Sequence, residues 1–313
     1  MEAQLIRTRL RMLFAVQLLV CCLFFTQPTV WATEGAQSYY FPGSLANFAT
    51  AVAPAPGFVF ANQMLFYSGK AETAVLKGTI HAGLTAKAFY NYSGGLYTFK
   101  QPVLGSRLQI GAVVPVGHVN MQAHIGHMGF ADNRTDIGDT AFMAALYWKK
   151  GNAHYKLTET VYVPTGGYHH GRLVNVGRNY WGFDTSLAVT WLNMKNGTEI
   201  TVAPGILFNT KNPATDYKSG NEFHVDVALN QYLSQHFAVG LHGYYYRQVT
   251  GDSDTGAKLG AFKGRSLGIG PAVLWTPKSK KGDLTVIAKW LHDVQDHNRM
   301  HGNFGVLTVA YKF

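Results

Sequence analysis

The chain has 313 residues, a formal charge of +10 and a mean hydropathy of −0.03. Charged residues make up only 14%, against about a quarter in ordinary soluble domains, while aromatics reach 13% and glycines number 34. Its two cysteines are adjacent, Cys21 and Cys22. If their segment is removed, a disulfide scaffold, a cysteine nucleophile and a cysteine-based zinc site are all excluded.

Removal is what the N-terminus predicts. Arg7, Arg9 and Arg11 precede the apolar run Met12 to Phe25, and Val30-Trp31-Ala32 offers small or apolar residues where a signal peptidase reads. The run is too short and too early for a spanning helix, and Cys21 follows Val20 rather than the small residue of a lipidation site. Residues 1–32 are therefore expected to be a cleaved export signal. The remainder, free of thiols, suits an oxidising periplasm. It keeps 24 basic and 16 acidic residues, a charge of +8. In an exported chain that balance favours anionic lipid head groups or acidic solutes, and no nucleic acid.

Residues 33–56 read as ordered coil. Tyr39-Tyr40-Phe41-Pro42-Gly43 and Ala53-Pro54-Ala55-Pro56-Gly57 are apolar and broken by proline. Tyr39, Tyr40, Phe41 and Phe48 would be awkward in water, so the coil is expected to insert into a lumen as a plug.

From residue 57 onward the chain reads as strands. The segments are 57–68, 88–101, 105–116, 137–149, 152–163, 180–193, 198–210, 221–233, 236–248, 264–276, 283–293 and 302–313. Each is long enough for a tilted span of about 9–11 residues. Tight turns at 149–152, 195–197, 234–235 and 277–282 carry Gly, Asn and Pro. Long polar connections at 69–87, 117–136, 164–179, 211–220, 249–263 and 294–301 alternate with them. Short periplasmic turns and long external loops are the outer-membrane pattern.

Within strands the alternation is clean. Phe223, Val225, Val227 and Leu229 interleave with Glu222, His224, Asp226 and Asn230; Ile200, Val202, Ile206 and Phe208 with Glu199, Thr201, Ala203 and Asn209. Trp148, Trp191, Trp275 and Phe313 fall at the turn-side ends of strands, and Tyr162, Trp181, Phe208, Phe223 and Tyr245 near the loop-side ends, as two interfacial aromatic belts would. Glu159 resists, because its parity with Leu157 and Val161 aims a carboxylate at lipid, through a bulge or a register error. At the end of the chain, Leu307, Val309, Tyr311 and Phe313 share one face. This looks like the closing strand of an outer-membrane barrel. The expectation is an all-β, transmembrane, up-and-down antiparallel β-barrel of about twelve strands over 57–313, with periplasmic termini.

An ordered set of positions adds a family. It runs from Gly138-Asp139 and Val163-Pro164-Thr165-Gly166 through Asn175, Gly177, Asn179, Trp181 and Thr190-Trp191. It continues with Asn209, Asn212, Thr215, Tyr217 and Gly220, then Gly243-Tyr244, Gln248, Asp252, Gly256, Gly264 and Gly270-Pro271. The chain from about 105 to 313 resembles the family named for a meta-pathway of phenol degradation, outer-membrane proteins often labelled transporters. The resemblance implies passage of hydrophobic or aromatic compounds. Physically, most of these residues read as structure: Pro and Gly end strands and permit turns.

Three readings of the polar residues compete. His118, His124 and His127, with His169-His170, invite a metal, but their spacing matches no established site, and no metal or cofactor is expected. His224 with Asp226 and a serine such as Ser186 would be needed for a lipid-acting hydrolase; no G-x-S-x-G elbow appears, and no enzyme is expected. The third reading places His154, Lys156, Asp184, Glu199, Glu222, His224 and Asp226 along the lumen. There they either line a wettable path or pair as a rigid polar core, and the resemblance favours the path. A structural or surface-interaction barrel is the alternative to a channel. The expected partners are outer-membrane lipids and lipopolysaccharide, the barrel-assembly machinery and small apolar solutes.

Overall fold

The computed structural model describes residues 34 and 37–313, apart from 77–78, 126–127, 258–260, 262 and 278–281. The expected export signal, with Cys21 and Cys22, lies outside the described residues. Among these, thirteen strands form one antiparallel sheet. They are β1 (Gly57–Leu76), β2 (Thr79–Val103), β3 (Ser106–Ile125), β4 (Met128–Ile137), β5 (Thr140–Lys150), β6 (Ala153–Val163), β7 (Gly182–Asn193), β8 (Thr198–Asn209), β9 (Glu222–Tyr232), β10 (Phe237–Gln248), β11 (Arg265–Trp275), β12 (Asp283–His297) and β13 (His301–Lys312).

Both β4 and β5 pair with β3, the former opposite Val116–Ile125 and the latter opposite Arg107–Val113. They are two lengths of one strand, interrupted at Gly138-Asp139. Pairing of β1 with β13, from Val59↔Lys312 to Lys70↔His301, closes a twelve-stranded barrel. Closure leaves no edge in the ring of twelve strands, which a wall in lipid requires because hydrocarbon offers backbone groups no partners; β4, beyond that ring, pairs with β3 alone. The seam is fastened at the turn end, where Phe313 N donates to Phe58 O at 3.2 Å and the two rings lie 5.9 Å apart.

The wall follows the expected alternation. Leu187, Val202, Val227, Leu229, Ile269 and Val273 point outward, while Asp184, Ser186, Thr201, Glu222, Asp226 and Asn230 are buried inside. Val103 and Ser106 flank the β2–β3 turn, whose Leu104 and Gly105 both have positive φ (51° and 70°). That geometry matches the twist of a tight hairpin.

Two departures are instructive. Residues 69–87 and 117–136 are mostly not loops: β1 and β2 pair up to Leu76↔Thr79, and β3 and β4 up to Ile125↔Met128. Their pattern is inverted relative to a membrane strand. Lys70, Lys87, His118, Asn120 and Gln122 face outward, while Ala71, Leu84, Ala86, Val119, Met121 and Ala123 pack inward on Val174 of the loop after β6. Polar outward residues therefore mark a wall that has left the bilayer, not a loop. Residues 294–301 are likewise mostly strand, with β12 reaching His297.

Tyr162 faces the interior rather than an aromatic belt, stacking on Tyr39 at 4.5 Å between centroids. Glu159 does face outward, with no bulge or register slip in β6: it pairs in register with Ala144 and Thr185 and accepts a 2.5 Å hydrogen bond from Thr185 Oγ1.

Candidate functional site

Two unlike inner walls meet in this barrel. Strands β6 to β10 present carboxylates, histidines, Asn and Thr; β1, β2 and β13 present Leu65, Tyr67, Tyr90, Tyr92, Phe304 and Val306. The coil preceding β1 runs inside, with Tyr39, Tyr40, Ala46, Phe48 and Ala51 all buried.

Its backbone is bound to the polar wall. Asp226, fully buried, accepts from Leu45 N (2.6 Å), Gly43 N (3.3 Å), Ala46 N (3.4 Å) and the Tyr40 hydroxyl. Glu199 accepts from Ala49 N through both oxygens (3.0 and 2.9 Å) and from Asn230 and Tyr232. Glu222 accepts from Ser38 and from Asn209 Nδ2. Thr190 Oγ1 accepts from Ala51 N at 3.1 Å. On the other side Lys289 Nζ donates to Gly43 O (2.8 Å) and Ala46 O (3.2 Å). A coil without ladder partners would leave its amides unsatisfied in this interior, and these side chains satisfy them. Gly43 has φ +77° and no room for a Cβ, which would meet Leu291 Cδ1 at 2.3 Å.

The remaining polar residues of interest are engaged separately. His224 Nε2 faces Asp184 Oδ1 at 3.2 Å, and its ring stacks on Tyr40 at 4.1 Å. His224 is thus turned toward Asp184, while Asp226 is taken up by the coil, so the hydrolase arrangement is not assembled. His154 is buried in β6, and Lys156 lies 5.5 Å from the Tyr147 ring centroid. His118 and His124 sit on the outward face of β3, and His127 lies outside the described residues. Among the described residues no group of three His, Cys, Asp or Glu side chains is placed to hold a metal.

Between the coil and the apolar wall a cavity of about 160 Å³ remains. Its walls include Tyr39, Tyr67, Tyr90, Tyr92, Tyr162 and Tyr244, and Arg178 and Arg299 also line it. None of the seven polar residues singled out above as lumen candidates lines it. Arg178, in the β6–β7 loop, was missed because nothing in a Gly- and Asn-rich loop signals that one residue turns inward.

That turn has a visible cause in the interruption between β4 and β5. Asp139 accepts from Gly166 N (2.8 Å), Arg178 N (2.6 Å) and the Tyr39 hydroxyl (2.7 Å). Gly166 and Gly177 pass so closely that a Cβ on Gly177 would meet Gly166 C at 2.6 Å. Asp252 ties the next two loops in the same way, accepting from Gly220 N (2.9 Å), Tyr217 and Gln248. At the loop end Asn212 Nδ2 donates to Glu34 (3.0 Å). Burial lifts the Glu34 carboxyl above the usual carboxylate range, against hydrogen bonds from Thr215 and Asn212 that lower it.

A family model described as "Putative MetA-pathway of phenol degradation" matches residues 66–309. The chain belongs to that family. In this family member Gly166, Gly177, Tyr217, Gly220, Gln248 and Asp252 hold loops rather than line the cavity, while Gly138 and Asp139 do both. Among solved structures, the COG4313 outer membrane channel of Pseudomonas putida F1 aligns with a TM-score of 0.68 at 13% identity, covering 88% of this chain and all of that one. The β domain of the Bordetella autotransporter BrkA aligns at 0.48 and 12%, covering 83% of this chain and all of that one. A FadL homologue of Pseudomonas aeruginosa aligns at 0.41 and 8%, covering 91% and 99%. Among curated protein sequences none matches. The first likeness shows the fold, a closed barrel of the outer membrane.

Proposed function

We propose that this barrel is a channel for small hydrophobic or aromatic compounds, which cross by diffusion along the aromatic wall while the coil acts as a plug. The observation that carries this reading is the tyrosine-walled cavity between residues 37–42 and the apolar wall. A lumen that served only as a rigid polar core would have no need of unlike walls. The polar wall, in this reading, holds the plug; the solute path is opposite. The family's description and the channel named in the similar structure support it. Neither covalent chemistry nor a cofactor enters. The outer face meets lipid and lipopolysaccharide, and the closing strand meets the barrel-assembly machinery.

The density of hydrogen bonds to the coil favours a second reading, a structural barrel closed at rest. Uptake by refolded protein in liposomes separates the two. Heat-modifiable gel mobility establishes folding first; toluene, phenol, a long-chain alcohol and a sugar are then compared. The expected result is saturable uptake of the apolar solutes over the sugar. Correctly folded barrels that pass nothing would establish the closed alternative.

A further inference from the structure

The same cavity carries information about charge. Two carboxylates border it, and both are consumed by neutral donors: Asp139 by Tyr39, Gly166 N and Arg178 N, Asp293 by Tyr244 and Gly302 N (2.8 Å). Arg178 and Arg299 also border it, and among the described residues neither makes a direct ion pair, although Asp139 acts on Arg178 and Glu222 and Asp293 act on Arg299 at longer range. Arg178 donates from Nη2 to Ser38 O at 2.5 Å and lies over the Tyr39 ring, 4.7 Å from its centroid. Arg299 lies 3.7 Å over the Tyr246 ring. Arg178 Nε and Arg299 Nη1 are buried without a partner, and among the described residues neither side chain is ion-paired to a carboxylate.

A guanidinium withdrawn from water with unfilled donors and no hydrogen-bonded anion is costly, and its planar fork fits a carboxylate. The tyrosine faces suit a flat ring. As to size, an apolar cavity of about 150 Å³ is known to accept benzene. Resting on the channel reading above, the geometry points to a single-ring aromatic acid as the preferred solute, its carboxylate held by Arg178 with Arg299 as the second cation, and its ring among Tyr39, Tyr90, Tyr92 and Tyr162. Neutral aromatics fill the same space without engaging either charge. A carboxylate also fits the formal surplus of basic residues along the exported chain.

Calorimetric titration of the refolded full barrel with benzoate, benzyl alcohol and toluene tests this, alongside liposome uptake of the same three. The expected result is benzoate binding at least about tenfold tighter than benzyl alcohol, a ratio that Arg178→Gln abolishes. Because Arg178 also holds Ser38 O, Arg299→Gln serves as the second variant; it should weaken benzoate selectively without loosening that contact. Toluene uptake with no preference for benzoate overturns the charge assignment and leaves the channel standing. Benzoate bound equally by both variants and the parent also overturns it. Failure of all three solutes overturns the channel reading and this inference together.

Discussion

Asp226 shows how much one side chain organises. It meets the Tyr40 hydroxyl and three coil amides, those of Gly43, Leu45 and Ala46, from inside a wall where it has no exposure. Asp226→Ala leaves the Leu45 and Ala46 amides facing the interior unpartnered, at about 1–3 kcal/mol for each donor that finds no water. The expected outcome is a lower urea midpoint by gel mobility and earlier protease cleavage within residues 37–56, with the barrel itself intact. Unchanged cleavage would mean the coil is held by packing alone. Glu159 is the opposite case, a carboxylate on the lipid side whose side-chain hydrogen bond, among the described residues, comes from Thr185. A basic residue at mid-bilayer costs about 2–4 kcal/mol and an acidic one less. Glu159→Leu should therefore stabilise the barrel by about 1–2 kcal/mol in lipid vesicles, read from the same midpoint. A loss of stability would place a partner on that face.

At the scale of the element, the coil is fixed by backbone geometry as well as by its aromatics. Gly43→Val puts a branched side chain where φ is +77° and Leu291 leaves no space, so the coil's middle must shift. Single-channel conductance in planar bilayers should rise above the parent's while gel mobility of the folded form is unchanged. Conductance equal to the parent's would mean that the coil does not lie across the conducting path. Strand parity on β7 to β9 was legible in the sequence, because lipid on one side and carboxylates on the other enforce a strict period of two. The length of β1 to β4 was not, since beyond the bilayer the same period persists with polar and apolar faces exchanged. The break at Gly138-Asp139 was legible as a motif but not as the point where one strand becomes two. That needs the pairing partner on β3, a relation no local pattern encodes. Arg178 and Arg299 were illegible for a similar reason: loops carry no period, so the sequence does not say which of their side chains turn inward.

For the molecule as a whole, the division of labour between walls is the main result. Reading polar inward residues as a solute path is reasonable for one strand at a time. Only the closed barrel shows that Glu199, Glu222, His224 and Asp226 face a coil, and that a cavity lies against the opposite, aromatic side. The coil also leads into β1 at Gly57 without a break, and on the plug reading proposed above that continuity sets its kinetics. An obstruction held by a covalent leash cannot be diluted away. Once displaced it remains at an effective concentration in the millimolar range for a short flexible tether. Opening and reclosing are then first-order events within one molecule, and each barrel resets itself at a rate independent of how many copies the membrane holds.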